Sequence, residues 1–253
     1  MSGSLQVHRT TATRRLVLDA PPANLLDNAM VDALRAAVEA AAAEPGVKAV
    51  ILEGAGEHFS YGAKIQEHRP GEIDTALPRF HALFRTLFEA AIPLIAVVRG
   101  RCLGGGLELA AFCNWIFAAP DAQLGLPEIC LGVFPPVGSL VLRERVSRPV
   151  AEMLCVTGRI VSAEDALEVG LVDYVSEDPG AAAAAWIASQ LQPRSAVALR
   201  HAMRAVRLPM RAGFRRDLEA VERLYLDEVM RTTDAREGID AFLEKRPPQW
   251  KDA

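Results

Sequence analysis

The spacing of hydrophobic and polar positions changes several times along this 253-residue chain. Arg14–Asp19 alternates polar and apolar side chains, which is typical of a half-buried strand. Ala29–Ala43 has apolar residues at helical spacing and ends at the helix-breaking sequence EPG. Residues 47–54 (VKAVILEG) follow as a β-branched, buried strand, and the same order recurs at 93–119. Alternating strands and helices predict an α/β architecture with a largely buried sheet.

The second occurrence consists of a strand at 93–100, a helix within Leu103–Phe112 and a strand at 115–119. Ser162 begins another helix as its N-cap, with acids in the first turn, and residues 170–175 form the last predicted strand.

From Ala181 onward the pattern is helical, with predicted breaks at Pro193 and Pro209. We therefore expect an α/β core over residues 1–190 and a helical region over 191–253. Helices of this kind expose an apolar face that needs a partner surface, so the second region is predicted to mediate oligomerisation.

Composition narrows the class of protein. Hydrophobic residues make up 51% of the chain and charged residues 24%, as in ordinary globular proteins. The net charge of −4 gives no general attraction to nucleic acid or to anionic membranes.

The N-terminal sequence lacks the apolar segment of a signal peptide, and the longest apolar run, Leu109–Ala119, is too short to span a bilayer. We expect a cytoplasmic protein without a membrane partner, whose four cysteines are free thiols without metal-ligand spacing.

Candidate chemistry begins in the sequence GRCLGGGLELAAF at 100–112. Three consecutive glycines separate a predicted strand from a helix, so free backbone N–H groups at the helix N-terminus face outward and suit a phosphate or a developing oxyanion. A tight turn without function is the alternative. A phosphate-binding loop of the G-K-[ST] type and a dinucleotide-binding fingerprint are both excluded by the spacing.

Two glutamates lie in strongly apolar sequence near glycine turns. Glu108 follows the glycines, and Glu128 lies in GLPEICLGVF at 125–134. Desolvation raises the pKa of a carboxyl group, so the pair is predicted to hold a water molecule and transfer its protons. For Glu108 alone, a structural role beside the helix dipole is the alternative. Upstream, the Gly62–Ala63 turn in residues 56–68 presents another N–H group, and two such groups form an oxyanion hole.

These motifs together resemble the crotonase (enoyl-CoA hydratase/isomerase) superfamily. The resemblance rests on HFSYGAKI, VRGRCLGGGLELA, LPEICLGVFP and TGRIVSAEDALEVGLVDYV, and it covers essentially the whole chain. It implies a spiral of ββα units with a C-terminal helical trimerisation region, assembled as a homotrimer or a dimer of trimers. It also implies an acyl-CoA thioester substrate, with no metal and no cofactor other than the CoA that the substrate carries.

The resemblance assigns a role to each matching residue. The amides of Ala63 and Gly105 would bind the thioester oxygen, and Glu108 and Glu128 would orient and deprotonate water, as in true hydratases. Isomerases of the superfamily usually keep one of these carboxylates. The residues expected to contact the substrate or its CoA are Tyr61, Ala63, Lys64, Ile65 and Gly105.

Departures from the common family pattern indicate the substrate. Lys64 and Asn114 replace aspartates, and FPPVGS at 134–139 replaces a glycine-rich run. This combination is most similar to family members that hydrate a cyclic 1,5-dienoyl-CoA in anaerobic benzoyl-CoA degradation. The alternatives are a hydratase or isomerase of linear or other cyclic acyl-CoAs and, more remotely, a non-catalytic protein that binds acyl-CoA or RNA.

Residues 194–216 contain seven arginines and no acidic residue. Only Phe214 offers an aromatic surface there, and the whole chain is acidic, which favours solvated helix faces, subunit contacts or CoA phosphates over nucleic acid. We therefore expect no nucleic-acid partner.

Overall fold

The computed structural model describes residues 4–69 and 71–253, without the side chains of residues 211 and 212. The strands are β1 (Ser4–Arg9), β2 (Thr13–Asp19), β3 (Ala49–Gly54), β4 (Leu94–Val98), β5 (Arg101–Leu103), β6 (Trp115–Ala118), β7 (Gln123–Gly125), β8 (Ile160–Ser162) and β9 (Tyr174–Val175). The helices are α1 (Asn28–Ala43), α2 (Ile73–Ala90), α3 (Gly105–Phe112), α4 (Pro136–Val141), α5 (Arg148–Thr157), α6 (Ala163–Glu168), α7 (Pro179–Gln190), α8 (Ala196–Val206), α9 (Leu208–Arg223) and α10 (Thr233–Glu244).

Within the described residues, two sheets form. The larger sheet has the order β1-β2-β3-β4-β6-β9, in which β1 pairs antiparallel with β2 and the other neighbours are parallel. The smaller sheet has the order β5-β7-β8, with β5 and β7 parallel and β8 antiparallel. Strand-strand-helix units therefore wind from one sheet to the other. The α/β class predicted from the alternating pattern is confirmed.

Local sequence explains where several helices begin. Asp27 caps α1 by accepting a hydrogen bond from the Met30 amide. The predicted N-cap Ser162 is confirmed, since it accepts from the Asp165 amide at the start of α6.

The helix breaks predicted at both prolines are confirmed, because α7 ends at Gln190 before Pro193 and α8 ends at Val206 before Pro209. Pro209 lies in the first turn of α9, where its missing N–H has no partner to lose.

Four elements differ from the sequence-based expectation. The helix expected within Leu103–Phe112 begins only at Gly105, because residues 101–103 form β5 and pair with β7. The strand expected at 170–175 is limited to Tyr174 and Val175. Neither β1 nor α2 was predicted, although α2 carries much of one pocket wall.

The C-terminal helices pack on the α/β body. Phe214 and Leu218 belong to the main hydrophobic core. Arg207 is buried and donates hydrogen bonds to the Leu87 and Phe88 carbonyls at the end of α2, with its guanidinium over the Phe88 ring. Helix C-termini attract cations. Because Arg207 directly precedes α9, its hydrogen bonds connect the start of α9 to the C-terminal end of α2. The division at residue 190 stays a prediction.

Candidate active site

The glycines of two neighbouring turns let their backbones approach closely. A Cβ atom on Gly62 would lie 2.8 Å from the Leu103 carbonyl oxygen, and its φ of +95° favours glycine. A Cβ atom on Gly106 would lie 2.7 Å from the Ser60 carbonyl oxygen. Because both positions exclude larger side chains, the turn after Ser60 and the start of α3 pack backbone against backbone.

This packing places two amides side by side. A Cβ atom on Gly105 would lie 3.4 Å from the Ala63 nitrogen. Among residues 4–69 and 71–253, no group accepts a hydrogen bond from the amide of Ala63 or of Gly105. Gly105 also begins α3, whose dipole places partial positive charge at this point. The arrangement suits a carbonyl oxygen that gains negative charge.

Glu108 lies one turn further along α3 and is only 3% exposed. Its Oε1 accepts a hydrogen bond of 2.7 Å from the Gly138 amide, and the Val137 amide donates to the same carboxylate. Burial raises the pKa of Glu108 to about 7, although the two amides favour its anion. The group can therefore exchange a proton near neutral pH.

Glu128 enters the same space from the smaller sheet. It follows β7 in a 3₁₀ turn, Pro127–Leu131, and its Oε1 would lie 2.9 Å from a Cβ atom on Gly104. Its Oε2 is buried and has no hydrogen-bond partner among the described residues. Burial, followed by the charge of Glu108, raises the pKa of Glu128 well above the usual value. Since two buried carboxylates resist double ionisation, the pair retains a proton at neutral pH.

Both carboxyl groups and both amides line a single pocket of about 810 Å³. All the residues singled out from the sequence lie on its wall: Tyr61, Ala63, Lys64, Ile65, Gly105, Glu108 and Glu128. Two segments that depart from the common family pattern, residues 64–79 and 134–140, also contribute, including His68, Leu77 and Phe134. Pro70, within the first of these segments, lies outside the described residues.

Sequence reasoning missed part of the wall. Phe80 of α2 lies beside Gly105, since a Cβ atom there would be 3.2 Å from Phe80 Cζ. Tyr225 reaches the pocket from the C-terminal region. It belongs to a π-helical turn, Leu224–Glu228, which changes the helical period, so a 3.6-residue pattern could not indicate its direction.

Two arginines of the arginine-rich segment, Arg200 and Arg207, bind the body of the fold. Arg200 donates to the Ala42 and Glu44 carbonyls at the end of α1, and Arg207 is buried as described above. Arg215 and Arg216 form ion pairs with Glu219 and Asp217. The Arg211 side chain lies outside the described atoms. Arg194 and Arg204 are exposed, so the absence of a nucleic-acid partner stays a prediction.

Residues 4–69 and 71–253 contain neither a candidate metal site nor a candidate membrane-spanning helix. No group of three or more His, Cys, Asp or Glu side chains is arranged to hold a metal ion. In the same part of the chain, no helix combines the length and apolarity needed to cross a membrane.

The chain is similar to one known family and to several known proteins. A family model described as enoyl-CoA hydratase/isomerase matches residues 10–253. The chain is 42% identical over 245 residues to a cyclohexa-1,5-dienecarbonyl-CoA hydratase of Thauera aromatica, which covers 97% of this chain and 95% of that protein. This chain is also 33% identical over 254 residues to a 2,3-dehydroadipyl-CoA hydratase of Escherichia coli. The aligned residues cover 98% of this chain and 98% of that protein. A crystal structure of an enoyl-CoA hydratase/isomerase from Pseudoalteromonas atlantica matches with a TM-score of 0.87 and 25% identity, covering 98% of this chain and 99% of that one.

Proposed function

This chain belongs to the enoyl-CoA hydratase/isomerase family, and from that premise we propose that it hydrates cyclohexa-1,5-diene-1-carbonyl-CoA to 6-hydroxycyclohex-1-ene-1-carbonyl-CoA. Hydratases of this family act on CoA thioesters without a separate cofactor. The observation that carries the proposal is the pairing of two buried carboxyl groups with two free amides in one pocket. A pair of carboxyl groups favours hydration over simple isomerisation.

The thioester carbonyl is held by the two amides. The N–H groups of Ala63 and Gly105 donate to its oxygen and stabilise the negative charge that develops there. Tyr61, Lys64 and Ile65 lie beside Ala63 and contact the CoA portion of the substrate. Positive charge on Lys64 is suited to the phosphates of CoA.

Glu108 and Glu128 have different surroundings, which give one carboxyl group the role of base and the other the role of acid. Glu108 accepts two backbone hydrogen bonds that favour its anion, so it acts as the base toward water. Glu128 is held protonated by burial and by the charge of Glu108, so it acts as the acid. The two groups therefore begin the reaction in complementary protonation states.

The cyclic substrate uses both groups. Glu108 takes a proton from water while the hydroxyl adds to the β-carbon, and the electrons of the double bond move to the thioester oxygen. The resulting dienolate is held by the amides. It collapses as Glu128 delivers its proton to the γ-carbon on the other arm of the ring, which leaves one ring double bond. The net change is the addition of one water molecule.

Support for a ring, rather than an extended acyl chain, comes from the pocket wall and the Thauera aromatica relative. Bulky apolar side chains, among them Phe80, Leu77 and Phe134, form part of the wall of the pocket that also holds the two carboxyl groups. The relative at 42% identity is named for the same cyclic diene. Apolar walls with a few convergent polar groups suit a compact hydrocarbon ring.

The test is a comparison of kcat/KM for cyclohexa-1,5-diene-1-carbonyl-CoA, cyclohex-1-ene-1-carbonyl-CoA and crotonyl-CoA. We expect the cyclic diene to be preferred. Glu108→Gln and Glu128→Gln should each lower kcat by at least about 10²-fold, because each removes a general acid–base group. The double variant should lose little more than either single variant, since the pair acts as a unit.

The possible outcomes separate the substrate from the reaction. A preference for crotonyl-CoA would contradict the cyclic substrate and favour a general enoyl-CoA hydratase. Near-normal hydration by Glu128→Gln would remove the two-carboxylate mechanism. Double-bond migration without water addition would identify an isomerase.

A further inference from the structure

Tyr225 is a polar side chain that the mechanism above leaves without a role. It lies in the π-helical turn Leu224–Glu228 that directly follows α9. The side chain is 2% exposed, yet it forms part of the pocket wall together with Glu108 and Glu128. Single π-helical turns occur often at functional sites.

The ring of Tyr225 is held by apolar contacts. It packs edge-on against Phe134 with ring centroids 5.4 Å apart and an interplanar angle of 64°. It also belongs to a small hydrophobic cluster with Ile73 and Val133. These contacts fix the plane of the ring. They require an aromatic ring at this position but not the hydroxyl group, so phenylalanine would make the same contacts.

The hydroxyl has a different environment. Burial, with smaller contributions from the charges of Glu128 and Glu108, raises the pKa of Tyr225. The phenol therefore stays protonated at every pH at which the enzyme works and retains its hydrogen-bond donor. In the described part of the chain, no group accepts a hydrogen bond from this hydroxyl. Buried phenols usually have a partner, so this donor is available to a molecule in the pocket.

The helix that carries Tyr225 is anchored one turn earlier. Glu222 Oε2 lies 2.7 Å from Nδ1 of His81, which is fully buried on α2 next to Phe80 of the pocket wall. The contact joins α9 to α2 behind the pocket. Tyr225 thus has a fixed backbone as well as a fixed ring, and fixed donors of this kind are effective in catalysis.

We propose that the Tyr225 hydroxyl donates a hydrogen bond to the oxygen of the water that is added to the acyl group. The inference rests on the proposed hydration. Attacking water gives one proton to Glu108 and uses one oxygen lone pair to form the carbon–oxygen bond. The second lone pair accepts the hydrogen bond of Tyr225, which fixes the direction of attack. Tyr225 neither gains nor loses a proton, and its donor remains bonded to the hydroxyl of the product.

The test is Tyr225→Phe, which keeps the packing on Phe134 and removes only the hydroxyl. We expect kcat for the preferred thioester to fall about tenfold, the size expected for losing one hydrogen bond in the transition state. KM and the dissociation constant of cyclohexanecarbonyl-CoA, a saturated analogue to which water cannot add, should stay unchanged. Tyr174→Phe is the matched control, because Tyr174 stacks on Phe117 in β6 and is not part of the pocket wall.

The results separate the possible failures. If the parent protein hydrates the thioester and Tyr225→Phe has the same kcat, the inference is overturned while the proposed function stands. If Tyr225→Phe lowers the melting temperature and weakens binding of the saturated analogue along with activity, Tyr225 is structural and the inference is also overturned. A parent protein that hydrates none of the three thioesters would overturn the proposed function itself.

Discussion

Two glutamates show how far single residues could be interpreted from sequence. Glu108 and Glu128 were predicted to form a pair because each is an isolated acid in an apolar run. Both residues line one pocket, and their catalytic pairing stays a prediction. The amides that donate to Glu108 come from Val137 and Gly138, about thirty residues away in the chain. Hydrogen bonds between residues so far apart in the chain cannot be predicted from the local sequence pattern. The division into base and acid therefore required the structure.

The buried carboxyl groups should reduce stability as pH rises. The pKa of Glu108 is about 7 in the folded protein against 4.5 in the unfolded chain, so the folded state binds more protons between these values. Stability therefore falls as pH increases from about 4.5 to about 7. Glu108→Gln keeps an acceptor for the Gly138 amide and removes the ionisation. We expect its melting temperature at pH 8 to exceed that of the parent by several degrees, at about 2–4 °C per kcal/mol.

The control is the same measurement at pH 4, where the carboxyl group is neutral in the folded protein and mostly protonated in the unfolded chain, so the difference should become small. Glu57→Gln, at an exposed glutamate, should leave the melting temperature unchanged at both pH values. A parent protein more stable than Glu108→Gln at pH 8 would contradict the claim that burial of this carboxylate is costly.

At the scale of elements, strand–helix alternation predicted the α/β body because the period of apolar residues is local information. The unpredicted elements depend on distant partners. β1 forms because it pairs with β2, and the π-helical turn is defined by backbone geometry that residue type does not specify.

The packing of α10 on the turn that carries Glu128 also depends on residues that are distant in the sequence. Gly238 of α10 packs directly on the Leu131 carbonyl, at the end of the turn that carries Glu128.

This contact makes Gly238→Ala a test of how α10 supports catalysis. The new Cβ would lie 2.2 Å from the Leu131 oxygen, so α10 or the Glu128 turn must move. We expect kcat to fall by at least about tenfold, because small displacements of catalytic groups are costly. The dissociation constant of cyclohexanecarbonyl-CoA should change less, since the amides of Ala63 and Gly105 are on other elements. Steady-state kinetics and binding measurements check both effects.

Gly213→Ala is the matched control, since it also places alanine in a helix. Its Cβ would lie 3.3 Å from the nearest side-chain atom, Asp217 Oδ2, and alanine is the better helix former. We expect parental kcat and equal or higher stability. If Gly238→Ala also retained parental kcat, α10 would have no part in holding Glu128.

At the scale of the whole molecule, the C-terminal helices complete the pocket and also leave an apolar surface. Tyr225 and α10 contact the pocket wall and the Glu128 turn, so residues 191–253 contribute to the site of the same chain. In contrast, α8 has no buried residue over its full described length, Ala196–Val206. Val197 is 59% exposed and Val206 is 76% exposed. Exposed apolar side chains of this kind are stabilised by a partner surface.

The predicted oligomer follows from this surface. We expect light scattering to give a mass of three or six times the 27.4 kDa of one chain. Val197 and Val206 lie on opposite sides of α8, because their separation of nine residues corresponds to about two and a half helical turns. The double variant Val197→Glu and Val206→Glu therefore places one charge on each exposed side of α8, where the charges cost the isolated chain little. If α8 lies in the interface, burying these charges is unfavourable and the mass should decrease. Gln190→Glu adds a charge at an exposed position of α7 and should leave the mass unchanged. A parent protein with the mass of one chain would contradict oligomerisation, and an unchanged mass for the double variant would place the interface elsewhere.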